Sequence, residues 1–154
     1  PYKAKGYEDI TISVWGQPCI YSTDLAEFLI ANGADVNAKD NNGQTPLFYT
    51  SRKIYNTQAA GLLIQSGAEI NARDNRGNTP LIWSTSRHER KHLLESPNDF
   101  INPDITFFRL LLDKGADVNS KNDEQLTVLQ AVEPLDEERY GELKKLLQQY
   151  ERNQ

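Results

Sequence analysis

Apolar residues recur along the chain in triplets at i, i+3 and i+4: Leu25, Phe28 and Leu29, then Ala59, Leu62 and Leu63, then Phe107, Leu110 and Leu111. On a helix of about 3.6 residues per turn each triplet falls on one face, so three short amphipathic helices are predicted. A glycine follows each one, at Gly33, Gly67 and Gly115. It stops the helix by taking the left-handed conformation that a Cβ resists. The polar stretches Asp40 to Gly43 and Asp74 to Gly77 read as tight turns, with Asp or Asn initiating and Gly allowing positive φ. Thr45 and Thr79 are placed to cap a following helix, and Pro46 and Pro80 stand at its first position, where proline is favoured. Each unit is thus a turn, a helix, a short link, a second helix and a loop.

The units repeat. Gly-Ala-Asp-Val-Asn at 33–37 returns as Gly-Ala-Glu-Ile-Asn at 67–71 and as Gly-Ala-Asp-Val-Asn at 115–119, at spacings of 34 and 48 residues. Asp-Asn-Asn-Gly-Gln-Thr-Pro-Leu at 40–47 returns at 74–81 and, weakened, as Asn-Asp-Glu-Gln-Leu-Thr-Val-Leu at 122–129, with the same two spacings. Two different signatures keeping one set of offsets mark a repeat architecture.

From about Thr23 to Leu147 the chain resembles the ankyrin repeat, a unit of about 33 residues built from a β-turn and two antiparallel helices. The family's usual His and Ala-Ala after Thr-Pro-Leu are replaced here by Phe48, Thr50 and Ser51, and by Ile82, Ser84 and Thr85. The fold expected is all-α: a solenoid of stacked helix-turn-helix units with β-turn loops. Residues 1–154 then form a single domain with an N-terminal capping repeat (1–39), a second repeat (40–73), a third (74–121) and a C-terminal capping repeat (122–154). At the N-terminus, residues 7–31 read as a degenerate repeat with Trp15 in register with Tyr49 and Trp83, while the alternation of Ile10, Ile12 and Val14 fits a short strand equally. Leu143, Leu146 and Leu147 repeat the helix face at the C-terminus. Glu133 to Gln154 carries the charge that the outer face of a terminal unit needs. Tyr49, Trp83, Phe48, Ile82 and Phe107 are expected in the core, and Phe108 against the insertion.

The third unit carries an excess of 14 residues between Ser86 and Ile105. The first helix is expected to lengthen over 80–95 and stop before Pro97, with a loop to follow. Long loops in compact folds are often functional, although the entropy of tolerating one is small. Both histidines lie here, in His88-Glu89-Arg90-Lys91-His92, a literal H-E-x-x-H. On a helix the two imidazoles would share a face, with Glu89 as general base of a zinc hydrolase. Arg87, Arg90 and Lys91 crowd the motif with positive charge and no third ligand stands where zincins place it, so a solvated helix face is the reading preferred. No phosphate loop, nucleophile elbow or cysteine pair accompanies it. Neither catalytic residues, a metal nor a cofactor is expected, and the protein is read as non-enzymatic.

Charge sharpens the picture of partners. The formal net charge is −5, which argues against general binding to nucleic acid or anionic membrane. Cys19 is the one cysteine, which excludes an internal disulfide framework and suits a reducing, cytoplasmic address. The chain has no Met and starts at Pro1. That reads as a processed or truncated end and leaves an exported form open.

The resemblance implies that a protein partner is held on the concave side by turn tips and first-helix ends. Residue by residue these are Asn41, Asn42 and Gln44, then Asn75, Arg76 and Asn78, then Asp123 and Glu124, with Arg52 and Lys53, then Ser86 and Arg87, and Arg90 and Lys91 on the extension. Six of these residues are cationic and two are carboxylates, so the expected partner presents an acidic surface to an otherwise monomeric adaptor, inhibitor or immunity-type binder.

Overall fold

Turn chemistry and short helices build two rows of helices in a computed structural model that describes residues 23–51, 57–85, 105–132 and 137–152. Among these residues there are seven helices and no strand. They are α1 (Thr23–Ala31), α2 (Pro46–Tyr49), α3 (Thr57–Gln65), α4 (Pro80–Thr85), α5 (Ile105–Asp113), α6 (Val128–Val132) and α7 (Glu137–Glu151). One row stacks α1, α3, α5 and α7, the other α2, α4 and α6, and α2 on α3 and α6 on α7 join the rows. This is the all-α solenoid that the repeated signatures imply. Each helix is too short to be stable alone in water, so burial against neighbours holds it.

From α3 onward two residues of each of the α3 and α5 triplets are buried, whereas Leu62 and Leu110 are half-buried. Ala59, Leu63, Phe107 and Leu111 lie at 0–2% exposure, and Leu143 and Leu147 at 0%. Leu63, Phe107, Leu111, Leu143 and Leu147 join Leu47, Leu81, Ile82 and Val128 in one apolar cluster running through the stack. A second, small cluster holds Phe48, Ala72 and Trp83, with Tyr49 against it. Phe48 meets Trp83 edge-on at 6.3 Å between ring centroids, and Phe107 meets Phe108 likewise at 5.8 Å. Phe108, expected against the insertion, is itself fully buried in the core. Tyr150 donates to the Asp113 carboxylate and so ties α7 to α5.

Two expectations are corrected. The α1 triplet is not the packed face: Phe28 is 42% exposed, Leu25 and Leu29 are half-buried, and Ala26 and Ile30 take the inward positions. Thr45, although extended as an N-cap should be, makes no side-chain cap bond to α2. Thr79 does receive the Ile82 N–H at 3.3 Å. In the last unit the cap is reciprocal: Thr127 Oγ1 accepts from Gln130 N–H at 3.3 Å while Gln130 Oε1 accepts from Thr127 N–H at 3.0 Å.

The N-terminal segment 1–22 with Cys19, Trp15 and the Ile10–Val14 alternation lies outside the described residues. So do Arg52 and Lys53, the insertion with its H-E-x-x-H motif, and any extension of α4 beyond Thr85. Among the described residues no helix is long and apolar enough to cross a membrane.

Candidate functional site

The turn tips are built by an aspartate that gathers the backbone around itself. Asp40 Oδ1 accepts from the N–H groups of Asn42 at 2.9 Å and Gln44 at 2.8 Å, and Oδ2 from the Tyr49 hydroxyl at 2.5 Å. Asp74 repeats the arrangement with Arg76 at 2.9 Å and Asn78 at 2.8 Å. Burial would raise the Asp40 pKa, but the bonds from Tyr49, Gln44 and Asn42 outweigh it and hold the carboxyl below its ordinary value. Gly43 at φ 75° and Gly77 at φ 72° then close the two turns.

Each turn is also stacked on the next. Asn75 donates its N–H to Asn42 O at 2.9 Å and its carboxamide to Asn41 O at 3.0 Å, and Asp123 N–H reaches Arg76 O at 3.0 Å. A Cβ on Gly43 would lie 2.5 Å from Asn75 Oδ1, and one on Gly77 2.5 Å from Asp123 Oδ1. Glycine is therefore required there twice over, for its φ and for the approach of the next turn. The third turn has Gln125 in the corresponding place, with φ 63°. Its side chain is exposed, and no described turn follows to crowd it.

A second ladder runs beside the tips. Asn37 donates its carboxamide to Gly67 O at 3.0 Å and accepts Glu69 N–H at 2.8 Å. Asn71 does the same with Gly115 O at 3.0 Å and Asp117 N–H at 2.9 Å. Lys39 Nζ reaches Arg73 O at 3.2 Å, and Arg73 reaches Gly77 O at 3.1 Å and Lys121 O at 2.8 Å. Sequence reasoning gave these residues no role. The signal was present in the invariant final Asn of the repeated pentapeptide and in the cation two residues beyond it.

The predicted binding residues divide into three groups. Asn41, Asn42, Asn75, Arg76, Asp123 and Glu124 come together as exposed tips of three consecutive stacked turns. Gln44 and Asn78 are instead buried, at 4% and 5% exposure. Each follows the turn glycine and its main chain bonds back to the turn aspartate, which draws it beneath the tip. Asn78 Oδ1 accepts from Asn122 at 3.0 Å, whereas Gln44 Oε1 has no hydrogen-bond partner among the described residues. The residue corresponding to Asn122 one unit earlier is Asp74, which as a carboxylate cannot donate. Arg52, Lys53, Ser86, Arg87, Arg90 and Lys91 lie outside the described residues.

Chemically, the tips present amides, one guanidinium and two carboxylates on a rigid ladder, suited to recognition. Among the described residues no group of three His, Cys, Asp or Glu side chains is placed to hold a metal. The family described as ankyrin repeats, in three copies, matches residues 19–122. No match is found among curated proteins.

Proposed function

The chain belongs to the ankyrin-repeat family, and from that premise we propose that it is a non-enzymatic adaptor, inhibitor or immunity-type binder whose partner presents an acidic surface. Arrays of ankyrin repeats are protein–protein interaction modules, so binding as such follows from membership. The observation that supports the site is the row of exposed tips on consecutive stacked turns, which the Asn37, Asn71, Lys39 and Arg73 bonds hold in register. A pre-ordered row loses little conformational freedom on binding. Acidity of the partner is inferred from Arg76 among the tips and from Arg52, Lys53, Arg87, Arg90 and Lys91 at the corresponding helix ends and on the insertion. Arginine there pairs bidentately with carboxylates and speeds encounter. The proposed division of the domain remains 1–39, 40–73, 74–121 and 122–154, with the insertion near 87–104 contributing to the face.

The test is capture of a partner from the native source by the wild-type chain and by a variant carrying Arg52→Glu, Arg76→Glu and Arg87→Glu. Capture should fall on the order of tenfold or more, the effect of about 1.4 kcal/mol, and weaken with salt. Unchanged capture rejects the face. Zinc content of protein prepared without chelators, compared with His88→Ala, addresses the other reading. Stoichiometric zinc that is lost in the variant would favour a zinc hydrolase built on His88, Glu89 and His92.

A further inference from the structure

The third turn departs from the other two in two adjacent residues. Gln125 stands where Gly43 and Gly77 stand and takes the same left-handed conformation, with φ 63°. A residue with a Cβ is strained there, whereas glycine is not. Leu126 stands where Gln44 and Asn78 stand, and its backbone is held in the same way. Its N–H reaches Asn122 Oδ1 at 3.0 Å, and its carbonyl accepts from Asn122 N–H at 3.1 Å. Yet Gln44 and Asn78 are 4% and 5% exposed, and Leu126 is 36% exposed. Leu129, three residues on, is half-buried, although its counterparts Leu47 and Leu81 are fully buried.

Neither departure is what the end of a stack needs. The outer face of a terminal unit has no neighbour, and polar residues suit it best. The last turn instead shows one of the two large apolar side chains that stand exposed among the described residues, the other being Phe28 on α1. Backbone strain kept next to an exposed apolar side chain breaks two local rules at once, and such breaks gather where a surface is used. The surroundings fix the sign of what covers the patch. Asp123 and Glu124 directly precede it, both are exposed, and among the described residues neither carboxylate makes a hydrogen bond or ion pair.

We propose that the third turn anchors the protein partner, and that the partner element seated on it is a Lys or Arg beside a bulky apolar residue. The apolar side chain covers Leu126 and the exposed part of Leu129, and the cation pairs with Asp123 or Glu124. Gln125 adds a carboxamide at the one turn position where the other two units carry no side chain. This basic element is local, within the acidic surface proposed above, and it rests on the reading of the turn tips as the binding row.

The experiment pans the full chain against a phage-displayed library of random linear peptides. Peptides retained by the wild type should carry Lys or Arg beside a bulky apolar residue. They should bind Leu126→Asn, which restores the residue type of Asn78, about tenfold or more weakly, as the loss of one leucine contact implies. Gln125→Gly should raise Tm by about 2–8 °C, because it relieves the strain, and should nevertheless weaken the same peptides. Raised Tm with binding unchanged would remove Gln125 from the site. Acidic peptides, peptides that bind Leu126→Asn as tightly as the wild type, or no retained peptide at all overturn the proposal. Arg76→Glu keeps the two readings apart. Peptides weakened by it but indifferent to Leu126→Asn leave the binding row standing and reject the third turn as its anchor, whereas indifference to both rejects the row as well. A dimer in sedimentation that Leu126→Asn dissociates also overturns the proposal, since it assigns the patch to a second copy.

Discussion

Gly33 and Gly43 both hold positive φ, at 84° and 75°, yet a Cβ on Gly33 meets nothing within 4 Å while one on Gly43 meets Asn75 Oδ1 at 2.5 Å and Asn75 N at 2.9 Å. The left-handed conformation alone costs a residue with a Cβ about 1–2 kcal/mol. Gly33→Ala should therefore destabilise by about that much in urea titration. Gly43→Ala should cost about 1–2 kcal/mol more, because the Asn75–Asn42 bond between turns must also give way. Equal losses would show that the turns are not in register. Asp40 sets a pH dependence. Its folded pKa is depressed, so its contribution is complete above the unfolded value of about 3.9 and is lost as pH falls through the folded value. Asp40→Asn should cost about 1 kcal/mol at neutral pH, since Asn122 shows that an amide fits this position but accepts less strongly. The difference from wild type should vanish in acid. A constant difference from pH 7 to pH 2 would remove Asp40 from the acid limb.

At the scale of the element, no helix here stands on propensity. α4 has six residues, all buried, and α2 has four. The apolar periodicity nevertheless located α3 and α5 and two of the three inward residues in each. Leu62 and Leu110 are half-buried and Ala60, Phe108 and Leu112 are buried beside them, because a helix with neighbours on both sides within the row buries more than one narrow stripe. The same periodicity misjudged α1, since which face of an amphipathic helix is buried depends on what lies against it. α3 also carries an avoidable weakness. Gly61 sits inside the helix, and a Cβ there would meet only Leu110 Cδ2, at 4.0 Å, an ordinary van der Waals contact. Gly61→Ala should raise stability by about 0.5–1 kcal/mol, the difference in helix propensity, with no strain to offset it. Thermal denaturation decides this, and a lowered Tm would mean that the α3–α5 contact is tighter than it stands.

Among the described residues the main contacts of each layer are with its neighbours, so the stack is quasi-one-dimensional. A core defect near one end should therefore loosen that end first. Leu147 is fully buried in α7, and Leu147→Ala should cost about 2–5 kcal/mol. Native-state hydrogen exchange should then show protection lost in α5, α6 and α7 before α1 and α3. A uniform loss over all helices would instead identify one cooperative unit.

Pattern and spacing along the chain determined the repeat, the order of its elements, the left-handed glycines and most of the core, because these depend on contacts within a unit or on its periodic neighbour. The tips were legible for the same reason. Only the tertiary structure decided that Gln44 and Asn78 lie beneath those tips, that Thr45 leaves α2 uncapped, and that Asn37, Asn71, Lys39 and Arg73 are the rungs between units. These outcomes depend on the distance at which one turn settles on the next, and that distance is set by packing across 34 or 48 residues of chain. A local sequence pattern does not encode it.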